Sequence, residues 1–132
     1  MLGDADVTTM VAVKDVAEAR DFYEKVLGLT RLDSSPTVTR YQSGVSTLVV
    51  YESQTAGTNE ATTAVWTVNH LERTVAALKE QGVEFLHYDD VPGLTRHDDV
   101  HDNGVFKTAW FKDPSGNILE VNEGVDLNQL GV

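Results

Sequence analysis

Glu120 stands in an apolar run, Ile118-Leu119-Glu120-Val121, just after the turn Asp113-Pro114-Ser115-Gly116. A carboxylate in such a run is costly to bury unless it is paired, hydrogen-bonded or bound to a metal. Apolar surroundings disfavour its charged form, so it could act as a general base near neutrality or accept a hydrogen bond from a ligand. The structural alternative is that it pairs with an arginine, or with a hydroxyl such as that of Thr8 or Thr63. Glu52, closing the run Leu48-Val49-Val50-Tyr51, offers the same chemistry and the same alternative. His97 and His101 are four residues apart among Asp98, Asp99 and Asp102. On a helix that spacing would put both imidazoles on one face and point to a metal. Pro92, Gly93 and Gly104 instead mark the stretch as a solvated loop, and spacing without convergent ligands is not a site. His87 lies on a predicted strand. Facing inward it could form a proton relay with Glu120, but a half-exposed strand histidine is the preferred reading. His70, at a helix start, reads as surface.

The elements that must position these residues follow from periodicity and punctuation. Val7 to Val13 alternates as a strand. Asp15 and Glu18 have capping-box spacing, Val16, Ala19, Tyr23, Val26 and Leu27 recur as a helical stripe, and Gly28 ends it. Leu29 to Ser34, Thr37 to Gln42 and Thr47 to Glu52 read as strands, with turns at Pro36 and Gly44. Thr55 to Glu60 is polar and reads as a linker. Thr62 to Val68 is a strand; Asn69 opens a second helix with Leu71, Val75 and Leu78 inward, ended by Gly82. Val83 to Tyr88, Val105 to Lys112 and Asn117 to Asn122 are strands, separated by the polar loop Asp89 to Gly104. The expected organisation is a single domain, 1–132: module one at 7–54, linker 55–60, module two at 61–123 and a tail at 124–132.

The modules repeat. A shift of 54 puts Asp15 on Asn69, Glu18 on Glu72, Gly28 on Gly82 and Leu32 on Leu86, while a shift of 68 puts Val50-Tyr51-Glu52 on Ile118-Leu119-Glu120. The difference is assigned to an insertion at the Asp89–Gly104 loop.

Composition narrows the functions. The chain has 132 residues, 21 acidic and 10 basic, for a formal net charge of −11. Such a surface repels nucleic-acid phosphates and anionic lipid. With no cysteine there is no disulfide, thiolate metal site or catalytic thiol. The first residues lack the basic and apolar regions of a signal peptide, so the expected location is cytoplasmic.

Val13-Lys14-Asp15, Phe22-Tyr23 and Leu27-Gly28-Leu29, together with the run Trp110 to Glu120 through Asp113-Pro114-Ser115-Gly116-Asn117, resemble the vicinal oxygen chelate superfamily. That group holds glyoxalases, bleomycin resistance proteins and extradiol dioxygenases. The resemblance implies an α+β fold of two βαβββ modules whose mixed sheet curls into a cup, with helices outside and the ligand inside. Homodimers are common. Carried over residue by residue, the metal-ligand positions of the metal-dependent members fall on Thr8, Glu52, Thr63 and Glu120. Both positions that usually hold histidine are threonine, a poor ligand for a divalent transition metal. No cofactor is therefore expected, a divalent metal being disfavoured.

Period-two alternation then lines the cup with Thr8, Met10 and Ala12, with Leu48, Val50 and Glu52, with Thr63 and Val65, and with Ile118, Glu120 and Asn122. Trp66 falls in the core, and Trp110 and Tyr41 are candidates to stack on a flat ligand. The expected function is metal-independent binding of a small apolar or aromatic molecule, with the Asp89–Gly104 loop as a candidate lid. The alternative is a lyase, isomerase or dioxygenase using Glu120 as base or metal ligand.

Overall fold

Residues 1–124 are described by a computed structural model, and the chain divides into two compact units, 1–60 with 113–117, and 61–112 with the strand from 118 onward. The expected tail beyond Gly124 lies outside the described residues. Each unit is a mixed sheet with few helices, an α+β architecture with no closed barrel among the described residues.

In the first unit, β1 (Thr9–Val13), β2 (Thr30–Ser34), β3 (Val38–Ser43) and β4 (Ser46–Glu52) lie in the order β1-β4-β3-β2, with β1 and β4 parallel. Helix α1 (Val16–Arg20) runs on as a π-helical segment, Asp21–Val26. Asp15 caps it as the sequence predicts: one carboxylate oxygen accepts the N–H groups of Ala17 at 2.8 Å and Glu18 at 3.2 Å. The Tyr23 ring stacks on Tyr41 at 6.1 Å, and Arg20 donates to Thr39 Oγ1 at 3.3 Å. Tyr41 and Thr39 therefore face α1. So do their register partners Leu48 and Val50, packed with Val11, Val13, Val16 and Ala19.

This corrects the expected orientation of β4. Leu48 and Val50 are core residues under α1, and Glu52 follows them to that side. Its Oε1 accepts the Val16 N–H at 3.3 Å, capping the helix from the neighbouring strand. Tyr41, expected as a stacking residue, is likewise fully buried here, its hydroxyl donating to Glu24 at 2.9 Å.

The Asp113–Asn117 loop belongs to this unit. Asp113 is only 4 % exposed. Oδ1 accepts the N–H groups of Ser115 at 3.0 Å and Asn117 at 2.8 Å; Oδ2 accepts the Tyr23 hydroxyl at 2.7 Å and the Asn117 side-chain amide at 2.9 Å. Asn117 also donates to the Ala12 carbonyl at 2.7 Å, and the Lys14 N–H donates to Ser115 Oγ at 2.8 Å. The stretch read as a linker packs here too. Ala56 is buried, and Gly57, at φ +73°, approaches so closely that a Cβ would lie 1.8 Å from the Ser115 carbonyl oxygen.

The second unit has β5 (Thr62–Val68), α2 (Leu71–Glu80), β6 (Phe85–Leu86), β7 (Thr95–His97), β8 (Val100–Asp102), β9 (Lys107–Lys112) and β10 (Ile118–Glu123). The order is β5-β10-β9-β8-β7, with β6 also on β9 and β5 parallel to β10. Leu71, Val75 and Leu78 of α2 are buried, as are Ala109, Phe111, Leu119 and Val121 of the sheet. Trp66, opposite Val121 in register, falls on this core side as expected. Asn69 does not cap α2. The Leu71 N–H goes instead to Glu123 Oε1 at 3.1 Å.

The stretch 83–88 keeps only a two-residue strand, and the expected loop 89–104 contains the β7–β8 hairpin. Asp98, at φ +54°, turns that hairpin. Arg96 grips Asp89 through two nitrogens at 2.8 and 3.1 Å. Asp99 accepts Lys79 at 2.7 Å and lies 2.8 Å from His87 Nε2.

Register within each unit also corrects the repeat. Val13 pairs with Glu52, and Val68 pairs with Glu123. The strand ends and the helix starts, Val16 and Leu71, are each 55 residues apart, but these glutamates are 71 apart. Glu52 thus corresponds to Glu123, both capping the helix of their own unit. Glu120 corresponds to Val49.

Candidate functional site

The sheet face of the second unit turned away from α2 collects the polar side chains. Lys107 reaches Glu72 on α2 at 3.2 Å, so Thr108 and Trp110 point to the opposite side, by alternation and with their register partners Asn122 and Glu120. Glu120 is half-buried. Its Oε1 accepts the Trp110 indole N–H at 3.0 Å, and its Oε2 accepts the Thr108 hydroxyl at 2.7 Å. The Thr108 hydroxyl also lies 3.1 Å from the Val121 carbonyl. Thr62 Oγ1 shares the indole N–H at 3.2 Å. Thr67 donates to Asn122 at 2.8 Å on the same face. A carboxylate held by an indole and a hydroxyl keeps its negative charge local, because neither donor carries a positive one.

Two rings border Glu120's partner Trp110. Tyr88 and His101 each meet Trp110 edge-on, with centroids 4.9 Å apart. His101 is fully buried on β8, opposite Thr108 in register. Its Nε2 accepts the Tyr88 backbone N–H at 2.9 Å. The neutral ring must then carry its proton on Nδ1, which has no hydrogen-bond partner among the described residues. Burial pushes the His101 imidazole below the ordinary histidine value, the neighbouring His87 and Arg96 add to this, and the Thr108 backbone and Asp89 oppose it. Protonation would also set an Nε2–H against the Tyr88 N–H.

Val65, Ile118 and Glu120 therefore share one face, and Trp110, whose face the sequence left open, joins them opposite Glu120 in register. Thr63 is half-buried on β5, but the hydroxyl that reaches Trp110 is that of Thr62, beside an irregularity in the β5–β10 register. Thr8 is exposed just before β1 in the first unit, and Met10 is 52 % exposed on the side away from α1. Leu48, Val50 and Glu52 are on the α1 side. His97 is exposed, and His87 is engaged with Asp99 rather than Glu120. Sequence reading missed Thr108, Thr62 and Tyr88, and placed His101 in a solvated loop although it is fully buried. Thr108 was within reach, since it stands two residues from Trp110 on the same strand.

A groove of about 560 Å³ in the second unit lies on the α2 side, between α2 and the β7–β8 hairpin, bordered by Val75, Lys79, Asp99, Val100 and Lys107. His97, Asp98, Asp99 and Asp102 of the cluster weighed as a metal site border it, but none of the expected pocket residues does. The hydrogen-bonded chemistry of Glu120 is on the other face, and the site is assigned there on that ground.

Residues 7–121 match the Glyoxalase/Bleomycin resistance protein/Dioxygenase superfamily. The chain belongs to that superfamily. No curated protein matches it in sequence. Solved structures of the superfamily's fold are similar to it at low identity. The antibiotic binding protein TnmS3 from Streptomyces sp. CB03234 is 19 % identical with a TM-score of 0.64, over 90 % of this chain and 96 % of that one. The lactoylglutathione lyase from Agrobacterium tumefaciens is 18 % identical at 0.66, over 91 % and 94 %. The fosfomycin resistance protein FosX from Listeria monocytogenes, complexed with Mn(II) and sulfate, is 15 % identical at 0.70, over 96 % and 95 %. At these identities the likeness speaks for the fold. Among the described residues of this superfamily member, no three His, Cys, Asp or Glu side chains group closely enough to hold a metal ion. No described helix is long and apolar enough to cross a membrane.

Proposed function

We propose that this superfamily member binds a small apolar or aromatic molecule without a metal ion, on the Glu120–Trp110 face of its second unit. The observation that carries the reading is the Glu120 carboxylate, oriented by the neutral donors Trp110 and Thr108 and set beside the Trp110 ring. A transition metal at this position would need imidazole or carboxylate partners beside Glu120. The other positions implied by the resemblance offer hydroxyls at Thr8 and Thr63, and Glu52 is turned to the N-terminus of α1. Trp110 offers a flat apolar surface beside a fixed polar group, the usual make-up of a small-molecule site. Binding by related folds such as the antibiotic binding protein is consistent with this use. A homodimer is part of the proposal and rests on the resemblance alone; a cytoplasmic location is proposed with it from the cysteine-free composition.

Thermal shift against a panel of small aromatic acids, neutral aromatics and planar cations tests the reading. A binder raises the melting temperature in a concentration-dependent way, and Trp110→Leu abolishes the rise. Stabilisation that survives Trp110→Leu unchanged contradicts the site.

A further inference from the structure

Glu120 is a half-buried negative charge without a counter-ion. Among the described residues it forms no ion pair, and three cations elsewhere in the second unit are engaged with other carboxylates. Lys79 pairs with Asp99, Arg96 with Asp89 and Lys107 with Glu72. Lys112 lies on the same face two residues from Trp110, but is exposed and makes no ion pair with Glu120. The two hydrogen bonds to Glu120 orient the carboxylate without neutralising it, and each oxygen retains a further acceptor site. Beside it, Trp110 is half-buried, with the Tyr88 and His101 rings each steeply inclined to it, centroids 4.9 Å away. The negative face of an indole attracts a cation, and does so more strongly when water is excluded.

An uncompensated carboxylate and an indole side by side ask for the same thing from a ligand. We infer that the molecule held on this face is a flat organic cation, its positive charge over the Trp110 ring and within reach of the Glu120 carboxylate. This rests on the binding reading above and narrows its ligand class. A neutral aromatic would gain only the stacking. An anion would meet Glu120 in a protein already at a net charge of −11.

The test uses three flat probes of nearly equal size at pH 8: 1-methylquinolinium, neutral quinoline and anionic 1-naphthoate, each titrated calorimetrically into the full chain. The cation should bind about tenfold more tightly than quinoline, and naphthoate more weakly than either. Glu120→Gln should erase the cation's advantage while leaving quinoline within about twofold. Glutamine can refill the site, because the Thr108 hydroxyl can accept as well as donate, so this variant should fold. Glu80→Gln, which removes the same charge from the exposed end of α2, should leave the preference intact. Equal binding of cation and neutral probe, or a preference that survives Glu120→Gln, overturns the charge assignment and leaves small-molecule binding standing. No saturable binding of any of the three overturns both.

Discussion

Asp113 and Glu120 are seven residues apart, on a turn and on the strand that follows it, yet their surroundings differ in kind. Asp113 is 4 % exposed and accepts four hydrogen bonds, two from its own turn's backbone, one from Asn117 and one from the Tyr23 hydroxyl. Every oxygen is used, and every donor is part of the scaffold. Burial, and then the Asp113 charge, push the Tyr23 phenol well above its ordinary value, so it stays a donor. Glu120 accepts two hydrogen bonds on a partly open face and retains capacity. The sequence question of what pays for a buried carboxylate thus belongs to Asp113, which holds a fold together. Glu120 is the carboxylate proposed to serve a ligand.

The comparison can be broken by mutation. Asp113→Ala strands four donors and should cost about 4 kcal/mol in urea denaturation, against about 1 kcal/mol for Glu120→Ala. Equal losses would erase the distinction. Gly57→Ala forces a Cβ onto the Ser115 carbonyl, and its positive φ adds strain, so about 3 kcal/mol should be lost by the same measurement. A loss below about 1 kcal/mol would show that the Asp113 loop yields. The pair of helix-capping glutamates comes next. Glu52→Ala and Glu123→Ala should each cost about 1 kcal/mol and leave ligand binding unaltered, whereas Glu120→Gln alters binding with little loss of stability.

The smallest effect is one of pH, at the ring cluster beside Glu120. His101 has a folded pKa below its ordinary value of 6.5, so the unfolded chain takes up its proton first. Its contribution to stability should be fully present above that value and decline as pH falls from there towards the folded pKa. Denaturation midpoints of wild type and His101→Phe, compared at pH 8 and pH 5.5, should converge at the lower pH. Asp99, held low by His87 and Lys79, loses its contribution in a separate window below the ordinary carboxylate value of 3.8.

Much of this architecture was legible because caps and stops are local. Asp15, Gly28, Gly82 and the Asp113 turn carry their meaning in their own backbone preferences. The face of β4 was not legible, for a physical reason. Leu48, Val49 and Val50 are all buried, so the run has no alternation to reveal which side is which. The likeness of Val50-Tyr51-Glu52 to Ile118-Leu119-Glu120 then supplied an even shift where the register requires an odd one, turning Glu52 to the wrong side. The β7–β8 hairpin escaped because its strands are three residues each and polar. They are held by ion pairs to Asp89, Lys79 and His87 that no periodicity announces. With the hairpin hidden, His101 read as solvated, although it is fully buried. On β10, where Leu119 and Val121 pack under α2 and Glu120 and Asn122 do not, the same alternation worked.

The central claim is that Glu120 serves a ligand and not a metal. Metal analysis of the purified protein, alongside Glu120→Gln, tests it most directly. The account predicts less than about 0.1 equivalent of Ni, Zn, Fe or Mn in both proteins, unchanged after incubation with each ion and desalting. One equivalent in the wild type that disappears in Glu120→Gln would contradict it.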